Sequence, residues 1–251
     1  MAGTVDQRIT SSWDDNAAPW ADAVRSGAIP SRRAGTDAAV VDAVARLRPA
    51  RVLDLGCGEG WLARRLAGNP GCHVTGVDGS AELIRLARAA DPRGTYIRAD
   101  YAAIAADPTC LGGPFDVAVA NFALLAEDIG SLLRALPSGA LVVQTVGGAY
   151  ADGWREESFA GFGSGGWTPM PWYFRTLASW HADLAASGWR VTDLREPGDP
   201  ETGRPLSLLM TCARIGVSRI GGGHRPQDLP AFAQQGSANH GQAEDRGAQQ
   251  G

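Results

Sequence analysis

Apolar runs that could form strands alternate along the chain with segments of helical periodicity. Strands are predicted for five predominantly apolar runs that end in glycine or polar residues, namely 52–55, 73–78, 95–99, 115–120 and 140–145. Helices are predicted where apolar residues recur every three or four positions, at 37–47, 61–66 and 81–88. Strands and helices that alternate in this way predict an α/β fold built on a parallel sheet.

A glycine loop joins the first predicted strand to the helix that follows it. Gly56, Gly58 and Gly60 permit positive φ angles and allow a ligand to approach the backbone closely. Their spacing, G-x-G-x-G, differs from the G-x-G-x-x-G of dinucleotide-binding loops, and Asp54 at the strand end would repel a pyrophosphate. The loop therefore favours a ligand that carries ammonium or hydroxyl groups.

Polar residues also follow the next three predicted strands. Asp78 ends the second strand and precedes Gly79 and Ser80, of which Ser80 is a predicted helix N-cap. The later strands are followed by Asp100 and Tyr101, and by Asn121 and Phe122. Each acid alone could be a turn or capping residue. Together they face the edge where open α/β sheets bind ligands, so the sequence predicts one crevice there.

Four segments in this order resemble the class I S-adenosylmethionine (SAM) dependent methyltransferases. They are Val52–Gly60, Gly76–Ser80, Ala99–Tyr101 and Phe115–Asn121, and the resemblance covers roughly residues 30–213. It implies a Rossmann-like, doubly wound, mostly parallel seven-stranded sheet with a C-terminal antiparallel hairpin and an N-terminal helical lid. The hairpin is placed at 189–194 and 206–213.

The resemblance also implies which residues bind SAM. The backbone of Gly56, Cys57, Gly58 and Gly60 would cradle the methionine, with Asp54 near its amino group. Asp78, with Gly79 and Ser80, would bind the ribose hydroxyls, and Asp100 and Tyr101 would lie beside the adenine. Asn121 and Phe122 would form the wall near the sulfonium. Arg32 is expected to pair with the SAM carboxylate, with Arg33 or a solvated arginine as alternatives.

The predicted domain boundaries are a lid at 1–35, a SAM-binding domain at 36–215 and a disordered tail at 216–251. In the lid, a short helix is predicted at 21–26, with Gly27 ending it. Thr36 is the predicted N-cap of the next helix. The resemblance relates this type of lid to quinone-pathway and other small-molecule methyltransferases.

An aromatic segment, residues 147–175, is the predicted site of the methyl acceptor. Its first part, 147–168, lacks clear periodicity, and long irregular loops often cover active sites. Predicted acceptor contacts are Trp154, Arg155, Trp172, Tyr173 and Arg175, whose aromatic members favour a flat or apolar molecule. The alternative is that the rings pack as a satellite core. Tyr173 and His181 are weak candidates for a catalytic role.

Composition narrows the partners of the protein. The net charge of −4 and the scattered basic residues, all of them arginine, argue against nucleic-acid binding. The dispersed cysteines indicate neither a metal site nor a disulfide framework. No apolar run is long enough for a membrane span, and no secretory signal is recognised, so a cytoplasmic location is expected. The oligomeric state is left open.

The expected activity is SAM-dependent methyl transfer to oxygen or nitrogen of a small, aromatic or apolar molecule. Methyl transfer depends mainly on alignment in a dry pocket, so no catalytic triad is required. Two alternatives remain, namely a catalytically silent SAM-binding regulatory module and a dinucleotide-dependent oxidoreductase.

Overall fold

Strands and helices alternate in the computed structural model, which describes residues 4–163 and 165–216. The strands are β1 Arg51–Leu55, β2 His73–Asp78, β3 Thr95–Arg98, β4 Phe115–Asn121, β5 Ser138–Thr145, β6 Gly153–Glu157, β7 Met170–Phe174, β8 Trp189–Arg195 and β9 Leu208–Arg214. The α-helices are α1 Val5–Ser26, α2 Asp37–Arg46, α3 Trp61–Ala67, α4 Ala81–Ala90, α5 Tyr101–Ala106, α6 Gly130–Ala135 and α7 Leu177–Ala186. A π-helical turn at Arg32–Thr36 precedes α2, and a 3₁₀ turn at Pro108–Leu111 follows α5.

Seven of these strands form one sheet in the order β3-β2-β1-β4-β5-β9-β8. The first five strands in that order run parallel, and β9 lies antiparallel to both β5 and β8. The chain therefore forms the predicted mostly parallel sheet with its C-terminal antiparallel hairpin. The strand order reverses direction between β1 and β4, which is where such sheets open a ligand crevice.

Apolar side chains cover both faces of the sheet. Alternate residues of β1 point to opposite sides, so Leu53 and Leu55 join one buried cluster, which includes Trp180. Val52 joins the other, with Val40 of α2 and apolar residues of α3. Burial on both faces explains the near-continuous apolar runs in the sequence and confirms the doubly wound arrangement.

Helix α1 is far longer than the short helix predicted at 21–26. It begins with a capping box in which the Thr4 hydroxyl accepts from the Gln7 backbone and the Gln7 side chain accepts from the Thr4 backbone. It continues through Pro19 and ends at Gly27, which adopts the predicted left-handed conformation with φ 67°. Most of the segment predicted as a lid, residues 1–35, is thus one continuous helix of 22 residues.

Two other local predictions concern helix N-caps. Ser80 caps α4 as predicted, by accepting the Leu83 N–H, and Thr176 caps α7 in the same way by accepting the Ser179 N–H. Thr36 makes no capping bond; its hydroxyl donates to the Ser31 carbonyl because a π-helical turn continues into α2. The prediction that Thr36 is an N-cap was therefore wrong.

The aromatic segment is more ordered than predicted. Strands β6 and β7 pair antiparallel as a separate two-stranded sheet, with Trp154 opposite Tyr173 and Arg155 opposite Trp172. The Tyr173 backbone N–H also donates to the Leu125 carbonyl in the loop after β4, at 2.9 Å. This bond anchors the small sheet at the carboxyl edge of the main sheet.

The predicted tail, 216–251, lies outside the described residues except for Gly216. None of the helices in residues 4–163 and 165–216 combines the length and the apolar character that crossing a bilayer would require.

Candidate functional site

The connections after β1, β3 and β4 lie together at the edge where the sequence predicts a crevice. Gly56, after β1, lies so close to the loop after β4 that a Cβ atom there would be 2.5 Å from the Ala123 Cβ. The same position would be 3.0 Å from the Tyr101 hydroxyl. A residue with a Cβ atom would clash at position 56. Glycine there therefore allows the connections after β1, β3 and β4 to pack closely.

The other loop glycines are also structurally required. Gly56, Gly58 and Gly60 have φ angles of 65°, 55° and 84°, as the sequence predicted for positive φ. Between them, Cys57 is buried and its sulfur packs against Gly76 of β2. The pKa of the Cys57 thiol is raised well above its usual range, mainly because the thiol is buried and also because the Asp54 and Asp78 charges are nearby. Cys57 is therefore a packing residue of the loop and not an activated nucleophile.

Asp78 holds two backbone groups at the end of β2. Its carboxylate accepts from the Gly58 N–H at 2.9 Å and from the Ser80 N–H at 2.8 Å. Burial raises the pKa of Asp78 to about 6, against the lowering effect of these two bonds, and the Asp14 charge raises it further. The predicted ribose-binding acid thus also fixes the glycine loop.

Asp54 is a buried carboxylate with unmet hydrogen-bonding capacity. It is 1% exposed, and its Oδ2 atom has no hydrogen-bond partner in the described residues. Burial raises the pKa of Asp54 to about 7, the Asp78 charge adds to the effect, and the Ala63 backbone N–H opposes it. Two buried acids that repel each other form a site that favours a bound cation.

Asp14 of α1 is a third acid at this site, and the sequence analysis missed it. Its Oδ1 atom accepts from the Ser80 hydroxyl at 2.6 Å and from the Glu82 backbone N–H at 3.2 Å. These partners are 66 and 68 residues away in the chain, so no local pattern could have indicated the contact.

Glu59, in the glycine loop, is a second residue near this site that the sequence analysis missed. Its carboxylate is fully buried and binds two guanidinium groups, Arg64 of α3 at 2.8 Å and Arg25 of α1 at 3.3 Å. Arg64 also donates to the Glu59 carbonyl at 2.6 Å. An acid within a glycine loop could have been recognised as a candidate, but its partners depend on the tertiary fold.

The remaining predicted cofactor residues lie around the same edge. Asp100 is exposed and caps α5, since its Oδ1 accepts from the Ala103 N–H at 2.7 Å. The Tyr101 hydroxyl donates to the Ala123 carbonyl at 3.2 Å, and burial raises its pKa above the ordinary range. Tyr101 therefore brings its side chain, and not only its backbone, into the crevice.

The residues after β4 carry unusual backbone and polar features. Phe122 has a φ angle of 53°, which is costly for a residue with a side chain, and its N–H donates to the Gln144 carbonyl at 2.7 Å. The Oδ1 atom of Asn121 is buried without a hydrogen-bond partner in the described residues. The turn thus presents an unused acceptor beside the crevice.

Arg32 lies beside the glycine loop but has protein partners. It binds Asp37 through Nε at 2.9 Å and Nη2 at 3.0 Å, and its guanidinium stacks on the Trp61 ring at 4.3 Å. Trp61 opens α3, so Arg32 is close to the predicted site. The pairing of Arg32 with a cofactor carboxylate stays a prediction. That carboxylate would have to compete with Asp37 for the guanidinium group.

Helix α1 is joined to the aromatic segment by a cluster of rings. The ring cluster consists of Trp13, Trp20, Phe159, Phe162 and Trp167, with centroid separations from 4.8 to 6.4 Å. Beside it, the Asn16 amide is buried and pairs with the Thr168 backbone, donating to its carbonyl and accepting from its N–H, both at 2.8 Å. The Trp20 indole nitrogen would lie 3.6 Å from a Cβ at Gly58, so the cluster reaches the glycine loop.

The predicted acceptor residues lie mainly on the small sheet. The Trp154 and Tyr173 rings meet edge to face at 5.5 Å, and the Trp154 indole N–H donates to Glu127 at 3.2 Å. Trp172 is half-buried against Phe174. Arg155 is exposed, stacks on Tyr150 at 5.1 Å and donates to the Ala151 carbonyl. Their contact with an acceptor stays a prediction.

Arg175, a predicted acceptor contact, is held by protein partners. It is 3% exposed, binds Asp183 at 2.9 Å, and donates to the carbonyls of Ala126 and Glu127. These bonds tie the loop after β4 to α7. Its Nη1 atom is buried without a hydrogen-bond partner in the described residues, and its contact with an acceptor stays a prediction.

His181 lies on the exposed side of α7, whose buried side carries Trp180 and Leu184. Its ring makes no hydrogen bond or ion pair with a described residue, and its catalytic role stays a prediction. A search of residues 4–163 and 165–216 finds no group of His, Cys, Asp and Glu side chains that could hold a metal ion.

The order and direction of the strands define the fold as Rossmann-like. Two solved structures share this fold over most of the chain. Magnesium protoporphyrin IX methyltransferase from Synechocystis PCC 6803, solved with SAM, gives a TM-score of 0.61 at 16% identity and covers 85% of this chain and 98% of its own. A Burkholderia thailandensis 1,6-didemethyltoxoflavin-N1-methyltransferase gives 0.57 at 20% identity and covers 86% and 92%.

Sequence comparison finds similarity to methyltransferases over part of the chain. Residues 52–138 match the family described as methyltransferase domain. A malonyl-[acyl-carrier protein] O-methyltransferase of Enterobacter lignolyticus (strain SCF1) is 36% identical over 121 residues, 46% of each chain. A trans-aconitate 2-methyltransferase of Azoarcus sp. (strain BH72) is 33% identical over 162 residues, 58% of this chain and 59% of its own. The chain is thus similar to SAM-dependent methyltransferases through a segment that matches the methyltransferase domain, and it spans about half the length of the curated relatives it matches.

Proposed function

We propose that this protein is a SAM-dependent methyltransferase that methylates an oxygen or nitrogen atom of a small molecule. The observation that carries the proposal is the pair of buried carboxylates, Asp54 and Asp78, which have no salt-bridge partner among the described residues. Burying two acids without a cation is unfavourable unless a positively charged ligand completes the site.

The residues present fit SAM, which when bound supplies an electrophilic methyl group on a sulfonium and carries an ammonium. The unpartnered Oδ2 of Asp54 is the acceptor for the ammonium, and Asp78 accepts from the ribose hydroxyls. Gly56, Gly58 and Gly60 leave the backbone open to the methionine, while the carboxylate of Asp100 is exposed beside α5 for the adenine. Chain residues thus bind and orient the ligand, and the reaction needs little further chemistry from them.

The acceptor is proposed to be a flat or apolar molecule. The ring cluster reaches Gly58, and the Trp154–Tyr173 pair lies on the sheet anchored to Leu125, so aromatic surfaces flank two sides of the crevice. Aromatic walls bind flat molecules through area and ring contacts. These surfaces support an acceptor such as a phenol or an aromatic amine.

A carboxylate acceptor is a second candidate. The curated relatives are named for malonyl-[acyl-carrier protein] and trans-aconitate, both of which carry carboxyl groups. Arg155 favours this alternative because it is exposed and forms no ion pair with a described residue, unlike Arg25, Arg32 and Arg175.

Transfer from methyl-labelled SAM to matched acceptors tests the proposal. The panel contains a phenol, an aniline and a benzoate that share the same ring and differ only in the hydroxyl, amino or carboxylate group. Trans-aconitate is added as a carboxylate without a ring. Methylation of the phenol or aniline supports the proposed acceptor class. Methylation of the acids, lost in Arg155→Gln and kept in the exposed control Arg93→Gln, supports the second candidate.

The same experiment separates the alternative functions. SAM binding without transfer to any acceptor would favour a silent regulatory module. Binding of NAD in place of SAM would favour a dinucleotide-dependent oxidoreductase.

A further inference from the structure

Two carboxylates from distant parts of the chain converge on one residue, Ser80. Asp78 accepts its backbone N–H at 2.8 Å, and Asp14 accepts its side-chain hydroxyl at 2.6 Å. Asp14 belongs to α1, whereas Asp78 ends β2. At this contact between α1 and the turn after β2, one carboxylate therefore lies close to another.

The position of Asp14 is set by the docking of the whole helix. One part of α1 lies on the turn after β2, where the Thr10 side chain would be 3.6 Å from a Cβ at Gly79. Further along the helix, Trp20 lies over Gly58. Because α1 is continuous from Val5 to Ser26, it cannot dock against both places without carrying Asp14 to Ser80.

Besides the hydrogen bonds that Asp14 accepts from Ser80 and Glu82, docking of α1 is held by neutral contacts and by one ion pair. The ring cluster and the Asn16–Thr168 bonds join α1 to the aromatic segment, and Arg25 binds Glu59 at the helix end. None of the ion pairs formed by described residues includes Asp14, Asp54 or Asp78. The repulsion between the lid acid and the cradle acids is thus left for a ligand to offset.

We propose that Asp14 is a positioning residue that couples the docking of α1 to the positive charge of the molecule bound in the crevice. A ligand with a sulfonium and an ammonium offsets the three acids and tightens the helix. A ligand with the same shape but one positive charge fewer holds the helix less tightly. Since methyl transfer converts the sulfonium to a neutral thioether, the lid loosens after the reaction. This inference rests on the proposed function of the site.

Hydrogen exchange of the α1 backbone amides tests the coupling without measuring activity. It is measured on the full chain without ligand and at saturating SAM, S-adenosylhomocysteine (SAH) and sinefungin, an analogue that replaces the sulfonium with a charged amine. Asp14→Asn removes the charge and keeps an oxygen for the Ser80 bond. Asp15→Asn is the matched control, because Asp15 is the next residue of α1, is exposed, and makes no side-chain hydrogen bond or ion pair with a described residue.

In the unchanged protein and in Asp15→Asn, exchange should be about fivefold to tenfold slower with SAM or sinefungin than with SAH. In Asp14→Asn the ligands should differ less than about twofold, and exchange without ligand should be slower than in the unchanged protein. Equal protection by SAM and SAH in the unchanged protein, or the same SAM preference in Asp14→Asn, would overturn the inference.

Calorimetry on the same samples keeps the two proposals apart. If SAM and SAH both bind but protect α1 equally, the charge coupling fails and the proposed function stands. If neither binds, both proposals fail.

Discussion

Asp78 accepts a hydrogen bond from the backbone N–H of Gly58 at 2.9 Å, so the acid that ends β2 also holds the loop that follows β1. The same carboxylate accepts from Ser80, which in turn donates to Asp14 of α1. The glycine loop, Asp78 and α1 are thus joined in one hydrogen-bond network. Changes at any of these positions should affect both ligand binding and stability.

Substitution of Gly56 tests how closely the crevice connections are packed. Gly56→Ala would adopt a positive φ and place Cβ 2.5 Å from that of Ala123. The strain of the positive φ angle and the clash with Ala123 should together lower the free energy of unfolding by about 3 kcal/mol. Gly71→Ala is the control, because Gly71 has φ 79° but open space around its Cβ position; it should cost about 1 kcal/mol. Equal losses in urea unfolding would show that the Ala123 contact is not constraining.

The two buried acids predict an unusual pH dependence. The pKa values of Asp54 and Asp78, about 7 and about 6, are above the ordinary 3.8. A raised pKa in the folded state contributes stability below pH 3.8, and that contribution is lost as pH rises through 6 and 7. A cationic ligand binds the ionised acids, so its effect has the opposite sign.

The rise in melting temperature caused by SAM should therefore be larger at about pH 7.5 than at about pH 5.5. Asp54→Asn removes one titrating group and should flatten this dependence. Thermal unfolding with and without SAM at both pH values measures it, and a SAM effect that grows toward acid pH would contradict the assigned charges.

Glu59 is predicted to be the main ionic contact between the glycine loop and α1. Glu59→Gln should lower the free energy of unfolding by about 2 kcal/mol, because it leaves Arg25 and Arg64, both partly solvated, without a carboxylate. Glu82→Gln breaks an exposed pair with Arg85 and should leave stability almost unchanged. Similar effects of both changes would argue against a structural role for the buried acid.

Asn16 should control how firmly the aromatic segment is attached to α1. Asn16→Ala removes two bonds to the Thr168 backbone and should raise the exchange rate of the Thr168 amide by about tenfold. Asn69→Ala, at an exposed asparagine, serves as the control. An unchanged Thr168 rate would mean that the ring cluster alone holds the segment.

The main sheet could be predicted because its information is local. Strand runs such as 52–55 and 115–120 pack on both faces and are therefore apolar except for Asp54 and Asp116, and turn residues mark their ends. The position of the candidate site was predicted from local signals in the same way, namely the glycine loop and the acids at the strand ends. Parallel order then placed residues from separate segments at one edge.

The lid and the aromatic segment could not be predicted in the same way. Residues 13–20 contain Asp, Asn and Pro, which have low helix propensity, yet tertiary contacts such as Asn16–Thr168 keep them helical. The Thr4–Gln7 capping box was the one local signal of the early start. Strands β6 and β7 pair across a long connection, so their sequences show no hairpin turn.

Calorimetric titration of SAM into the unchanged protein and Asp78→Asn tests the central claim most directly. Asp116→Asn is the matched control, since Asp116 also accepts two backbone N–H groups, from Ala50 and Arg51, at the opposite end of the strands. We expect SAM to bind the unchanged protein and Asp116→Asn alike, and Asp78→Asn about 30-fold or more weakly. Equal SAM affinity in all three proteins, or tight binding of NAD with none of SAM, would contradict the account.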